Sequence, residues 1–220
     1  MNDVPPPPPP PYGAVPPAGG SPDVGTALSY GFNKFFANWQ AILGVILVAF
    51  LAEVVFNILS VGVSSFPGRI LISIVGIVVN AVVAIGIYQT ALMVTAGQTV
   101  TISEAFSYDR WGEWIVFSVV FGLMVGIGLA LCLIPGLIVL AFFGMAPYFF
   151  IDRGMSLGDS LTASREAASS RGYALPVVLS VIVGALGLIA CLVGALVTMP
   201  AAYIAVAYLY RNASGQPVAP

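Results

Sequence analysis

Residues 113–151 read EWIVFSVVFGLMVGIGLALCLIPGLIVLAFFGMAPYFFI. Nearly 40 positions pass with a single charge, Glu113, at the edge. A bilayer core of about 30 Å takes about 20 helical residues at 1.5 Å each, so this run is long enough for two spans. Pro135-Gly136 divides it, because a proline inside a helix loses a hydrogen bond and clashes with the preceding turn. The pattern predicts spans over 113–133 and 135–151 joined by a tight turn. Gly122 and Gly126 form a GxxxG pair in the first of them, read as a close-packing face.

The same pattern extends outward in both directions. Residues 41–64 and 70–95 are apolar runs separated by Ser64-Ser65-Phe66-Pro67-Gly68-Arg69. Residues 174–211 again hold two spans, 174–193 and 195–211, with Gly194 as the expected turn and Pro200 early in the second. Three less apolar segments come between. Residues 25–39 place Leu28, Phe32, Phe35, Phe36 and Trp39 on one helical face and Asn33, Lys34 and Asn38 on the other. Such a helix belongs in the membrane interface, with Trp39 at headgroup level. Residues 101–111 open with Thr101 and Glu104 at capping-box spacing, and residues 156–170 with Ser156 and Asp159. The fold expected is therefore an all-α membrane protein: six transmembrane helices as three hairpins, each preceded by a short interfacial amphipathic helix. Such repetition is common among polytopic folds.

Composition supports this. The chain has 220 residues, 59% hydrophobic and 7% charged, against about 25% charged in a soluble domain. A net charge of −2 without a basic patch speaks against a nucleic-acid partner. There is no histidine, which removes the commonest general base and the commonest zinc ligand. No Walker, Rossmann or GxSxG fingerprint stands in a fitting context. The expectation is a protein that is not an enzyme and uses no cofactor or metal.

Residues 1–22 hold ten of the seventeen prolines, seven of them consecutive from Pro5. Residues 1–24 are expected to be a disordered, largely polyproline II arm on the cytoplasmic side. It is either a solvated spacer or a ligand for an aromatic-lined groove on a partner. Residues 212–220 are expected to be a short flexible tail. Lys34, Arg110, Arg153, Arg165, Arg171 and Arg211 fall on one side of the six-span arrangement and only Arg69 on the other, which puts both termini in the cytoplasm.

Glu53 is the one charge deep in a span, where it costs of the order of 2.5–3.5 kcal/mol. Asn57 lies a turn away, and Asn80 falls at similar depth on the neighbouring span. Two readings stay open: a proton or substrate site, or a polar clamp between two helices, worth about 0.6 kcal/mol. Cys132 and Cys191 occupy equivalent outer positions. They are either a disulfide or two buried thiols acting as small apolar residues. Asp152, Arg153, Asp159, Arg165, Glu166 and Arg171 form a charged cluster, read as a solvated face with helix caps or a surface for a partner or headgroups.

The stretch Ala146-Pro147-Tyr148-Phe149-Phe150-Ile151-Asp152-Arg153-Gly154, then Ser156-Leu157-Gly158-Asp159-Ser160-Leu161 and Ser164, resembles a broad set of bacterial six-span membrane proteins. A related domain is the membrane part of some glycerophosphodiester phosphodiesterases. The Leu133-to-Gly136 turn and the Gly31-to-Trp39 helix also fit. The proline-rich arm and the ending Ser214-Gly215-Gln216-Pro217 resemble the actinobacterial branch. The resemblance implies six helices in a bacterial cytoplasmic membrane and carries over no catalytic residue. Two functions follow as expectations: an accessory or scaffold component meeting membrane-protein partners, or a small transporter or lipid-handling protein using Glu53, Asn57 and Asn80. Reporter fusions to either terminus should report a cytoplasmic location. An exported N-terminus would overturn the orientation.

Overall fold

The computed structural model describes residues 23–187 and 191–220, without the side chains of residues 191–193. Most of the proline-rich arm, and the Cys191 thiol, therefore lie outside the described residues. Those described are helical with no strand: α1 (Val24–Ala37), α2 (Trp39–Val61), α3 (Phe66–Ala96), α4 (Ile102–Ala105), α5 (Trp111–Leu131), α6 (Leu133–Phe143), α7 (Ala146–Arg153), α8 (Leu157–Ser170), α9 (Ala174–Leu186) and α10 (Cys191–Ser214).

Four stretches are long and apolar enough to cross a membrane: Trp39–Val61, Phe66–Ala96, Trp111–Leu131 and Leu133–Arg153, the last joining α6 and α7. The pair α8 and α9, bent by 104°, makes five if taken as one broken span. This is the architecture of a multi-pass membrane protein. The chain folds as neighbouring pairs, α2 on α3, α5 on α6 and α9 on α10, and α10 also packs against α1, α3 and α7.

Local chemistry sets the ends. Asp23 caps α1 by accepting from the Gly25 and Thr26 amides. Ser65 accepts from the Gly68 amide, and Pro67 sits in the first turn of α3, where its missing donor costs nothing. Both expected N-caps form: the Thr101 and Ser156 hydroxyls accept from the Glu104 and Asp159 amides and donate to the same residues' carboxylates. The helix after Thr101 is a single turn, however, not the expected 101–111. Phe106 packs its ring on Gly86 of α3, and the Ser107 carbonyl accepts from Gln89 instead of from a following turn.

The turn between α5 and α6 falls at Cys132, which is extended, so that Pro135 is the third residue of α6 and tolerated there. A Cβ on Gly128 would stand 2.9 Å from the Gly136 Cα, so this pair of glycines closes the turn. Gly122 and Gly126 have nothing within 4 Å of an added Cβ, so among the described residues this pair makes no close helix contact. Gly194, the expected turn, is inside α10, and α9 ends at Leu186.

The first amphipathic helix forms and docks on the body through a narrow strip. Its buried residues are Ala27, Gly31 and Phe35, while Phe36 and Trp39 are exposed. The reason is close approach. A Cβ on Gly31 would meet the Ala201 carbonyl of α10 at 2.2 Å, so only a small-residue stripe can face that helix. The large side chains flank it.

Burial is uneven along the long axis. One end, here the basal end, collects the last turns of α3, α7 and α10 with α1 and α8. There Ile85, Met145, Tyr148, Phe149, Tyr173 and Tyr210 are buried. At the opposite, distal end Leu59, Val61, Phe66, Leu71, Leu131 and Leu133 are exposed. α3 is 31 residues long, about 46 Å, and its buried residues concentrate from Ala81 onward. The Gly31→Ala variant should lose about 1–3 kcal/mol through overpacking against α10. Gly122→Ala should be neutral, or gain up to about 1 kcal/mol of helix propensity. Thermal unfolding of the two in one detergent checks the contrast.

Candidate functional site

The Glu53 side chain is half-buried, and among the described residues its carboxylate has no hydrogen-bond or ion-pair partner. The Asn57 amide donates to the Glu53 backbone carbonyl at 2.7 Å, and the Asn80 amide to the Gly76 carbonyl at 3.0 Å. Each asparagine is thus satisfied on its own helix, and no bond joins Glu53 to Asn80. The clamp between α2 and α3 is not formed, because intrahelical carbonyls one turn back compete successfully for both amides. Cys132 is exposed at the α5–α6 turn rather than buried, and its pairing with Cys191 lies outside the described residues.

What the sequence reading missed is an aromatic core where the three helix pairs meet. Tyr88 of α3 packs edge-on against Tyr148 of α7 and Tyr203 of α10, with centroids 5.2 and 5.4 Å away. The Tyr148 hydroxyl donates to the Tyr203 carbonyl at 2.8 Å, and the Trp114 indole to the Ala81 carbonyl at 2.8 Å. Each tyrosine sits in the second arm of its pair, a regularity visible in the chain only once the pairs are known.

Three lateral grooves radiate from this core. One of about 770 Å³ runs between α2/α3 and α5, lined by Phe56, Asn80, Tyr88, Trp114, Ser118 and Gly122, among others. One of about 280 Å³ lies between α2/α3 and α10, with Ile42, Val45, Met199 and Tyr203 on its walls. One of about 170 Å³ lies among α3, α5, α6, α9 and α10, touching Tyr88, Tyr148 and Tyr203. Of the three residues expected to line a path, Asn80 faces the largest groove; Glu53 and Asn57 line none of these three.

The basal end holds a second feature. Arg211 is buried and donates to Thr95 Oγ1 at 2.9 Å, the Leu92 carbonyl at 3.4 Å, Gln216 Oε1 at 3.0 Å and the Pro217 carbonyl at 3.3 Å. Arg153 and Arg171 donate to the Ser214 and Ala213 carbonyls at 2.8 and 2.7 Å. Arg153 and Arg171 therefore sit on open carbonyls at the C-terminus of α10, where the dipole favours a cation, and Arg211 lies beside the last turn of α3. The Asp152 carboxylate accepts from Tyr210 and Gln216. Much of the charged cluster is thus engaged in tying α7, α8 and α10 together, while Arg165 and Glu166 remain exposed. Residues 212–214 extend α10, and the tail expected to be flexible is bonded to the body: the Ala219 amide donates to the Thr95 carbonyl at 3.0 Å and Tyr30 to the Ala219 carbonyl at 3.0 Å. Burial pushes the Tyr30 phenol above its ordinary value, with Arg211 opposing, so it stays a donor at neutral pH.

The chain is similar to Mb2590 of Mycobacterium bovis and Rv2560 of Mycobacterium tuberculosis, both uncharacterised proteins, at 33% identity over 132 residues. The match covers 59% of this chain and 41% of each relative, so the chain aligns with less than half of their length. No described protein family matches, and no solved structure does.

The geometry ranks the polar residues. Arg211→Met should lose about 1.5–3 kcal/mol by removing charged hydrogen bonds at a buried site. Glu53→Gln, at a carboxylate without partners, should stay within about 0.5 kcal/mol. Denaturation of both variants in one lipid–detergent mixture checks the order.

Proposed function

We propose that the chain is a non-enzymatic accessory or scaffold component of a membrane complex. It has six spans in three hairpins: α2/α3, α5 with α6–α7, and α9/α10. The 24 residues of α10, about 36 Å, support a sixth span beyond those counted by length and composition. Six of the seven basic residues gather at the basal end and Arg69 at the distal end, which favours a cytoplasmic basal face in a bacterial cell membrane. The proline-rich arm then reaches into the cytoplasm as a spacer or a docking ligand. A likeness to the membrane part of glycerophosphodiester phosphodiesterases is compatible with this role, since such a part carries no catalytic groups of its own.

The observation that carries the reading is the aromatic core. Tyr88, Tyr148 and Tyr203 pack against one another at the centre of the helix pairs, whereas the largest groove lies between α2/α3 and α5. Ser118, Gly122 and Gly126 lie one turn apart along α5, and Ser118 and Gly122 line the largest groove. Such small-residue spacing allows close approach of another helix. A second reading, a lipid-handling or transport protein, draws on the same groove, where Ser60, Ser73 and Asn80 supply polar groups.

Photo-crosslinking from positions 77 and 122 in living cells separates the two. A protein adduct of one defined mass from both positions supports the scaffold. Absence of any protein adduct, together with loss of a lipid adduct in Asn80→Leu, would favour lipid handling.

A further inference from the structure

The body is held together mainly at its basal end, and one segment there is hydrogen-bonded to a helix of each pair. Gly215 ends α10 in the left-handed region at φ 68°, and the Gln216 amide turns back onto the Arg211 carbonyl at 2.9 Å. From there the chain crosses the basal face. The Gln216 side chain donates to Asp152 of α7 at 2.6 Å and accepts from Arg211 of α10 at 3.0 Å. Ala219 pairs with Thr95 at the end of α3 and with Tyr30 of α1, at 3.0 Å each. Residues 215–219 thus join α1, α3, α7 and α10, one element or more from each helix pair.

We propose that residues 215–219 form a releasable strap whose opening lets the helix pairs splay and widens the lateral grooves. Two features make it releasable. The strap lies on the surface, with Gly215 and Pro217 exposed, so its bonds open locally without unpacking the core. The contacts beneath it also survive on their own. With Gln216 withdrawn, Arg211 keeps Thr95 and the Leu92 carbonyl, and Asp152 keeps Tyr210.

The leverage comes from α3. Its Thr95 end is held by the strap together with Arg211, and its Phe66 end lies about 44 Å away with exposed apolar side chains around it. A small tilt at Thr95 becomes a large displacement beside the groove facing α5. On the Phe66 side of Ala81 the open packing offers little resistance to such a displacement. The inference does not depend on what occupies the groove.

The test uses the full chain in phospholipid nanodiscs, with Cys132→Ser and Cys191→Ser and spin labels at positions 71 and 123, exposed on α3 and α5. Two substitutions release the strap by different routes. Gln216→Ala removes the side-chain bridge, and Ala219→Pro removes the amide that pairs with Thr95. Double electron–electron resonance should show the same shift to longer, broader distances in both variants. An unchanged distribution in both would overturn the proposal. Hydrogen exchange on the unsubstituted chain gives a check that needs no variant. The amides of Gln216 and Ala219 should be protected and open together, faster than the Tyr203–Tyr210 segment. Exchange at the rate of a free peptide would also overturn it.

Discussion

Inside a bilayer, apolar contact between helices gains nothing over contact with lipid, so cohesion must come from close packing and from hydrogen bonds. The whole arrangement follows from that constraint. Close packing is achieved where side chains are small: Gly31 against Ala201, Gly128 against Gly136, Gly86 under the Phe106 ring. Hydrogen bonding is concentrated where helices end and their carbonyls would otherwise be open. Arg153, Arg171 and Arg211 close those ends at the basal face, each through a guanidinium able to serve several acceptors at once. The distal half has close packing only in places, as at Gly128 against Gly136, and there the helices present Leu, Ile, Val and Phe outward.

The same constraint explains what could be read in the chain and what could not. Spans are legible because a window of twenty apolar residues is a statement about length, and length is set by the bilayer. Four of the expected spans coincide with long apolar stretches to within a few residues. Turn positions were less legible. Pro135 marks its turn only approximately, since a proline is as acceptable in the first helical turn as before it. Gly194 does not mark the last turn, because in a membrane glycine is a packing residue rather than a helix breaker. In α1, periodicity identifies a stripe of large apolar residues for the interface, but it does not show which narrow strip docks on the body. Here the helix docks through Ala27 and Gly31, and the large residues are left to flank the contact.

The candidate sites show a similar division. Glu53, Asn57 and Asn80 stood out because polar groups in a span are costly, but cost alone does not say how a group is satisfied. The asparagines resolve it within one helical turn. Tyr88, Tyr148 and Tyr203 carried no such signal, since a tyrosine in an apolar run is ordinary. Their meeting depends on the pairing of helices more than fifty residues apart. Arg211 was read only as a topological charge. Its burial depends on Thr95 and Gln216, which lie on other segments. The Pro147-Tyr148 to Arg153 stretch drew notice through resemblance. It forms α7, with Tyr148 in the aromatic core and Asp152 receiving Tyr210 and Gln216.

A fold tied at one end and open at the other suits a protein whose work is done sideways, against neighbours in the membrane. The unevenness itself is therefore the claim to measure. A nitroxide scan along α3, from Phe66 to Thr95, with collisional relaxation by oxygen in phospholipid vesicles, reads lipid contact residue by residue. The account predicts high oxygen accessibility on most faces of the helix up to about Asn80, then a steep fall through Ala81 to Thr95. An even 3.6-residue oscillation of constant amplitude along all 31 residues would mean a helix packed along its whole length, and would contradict it.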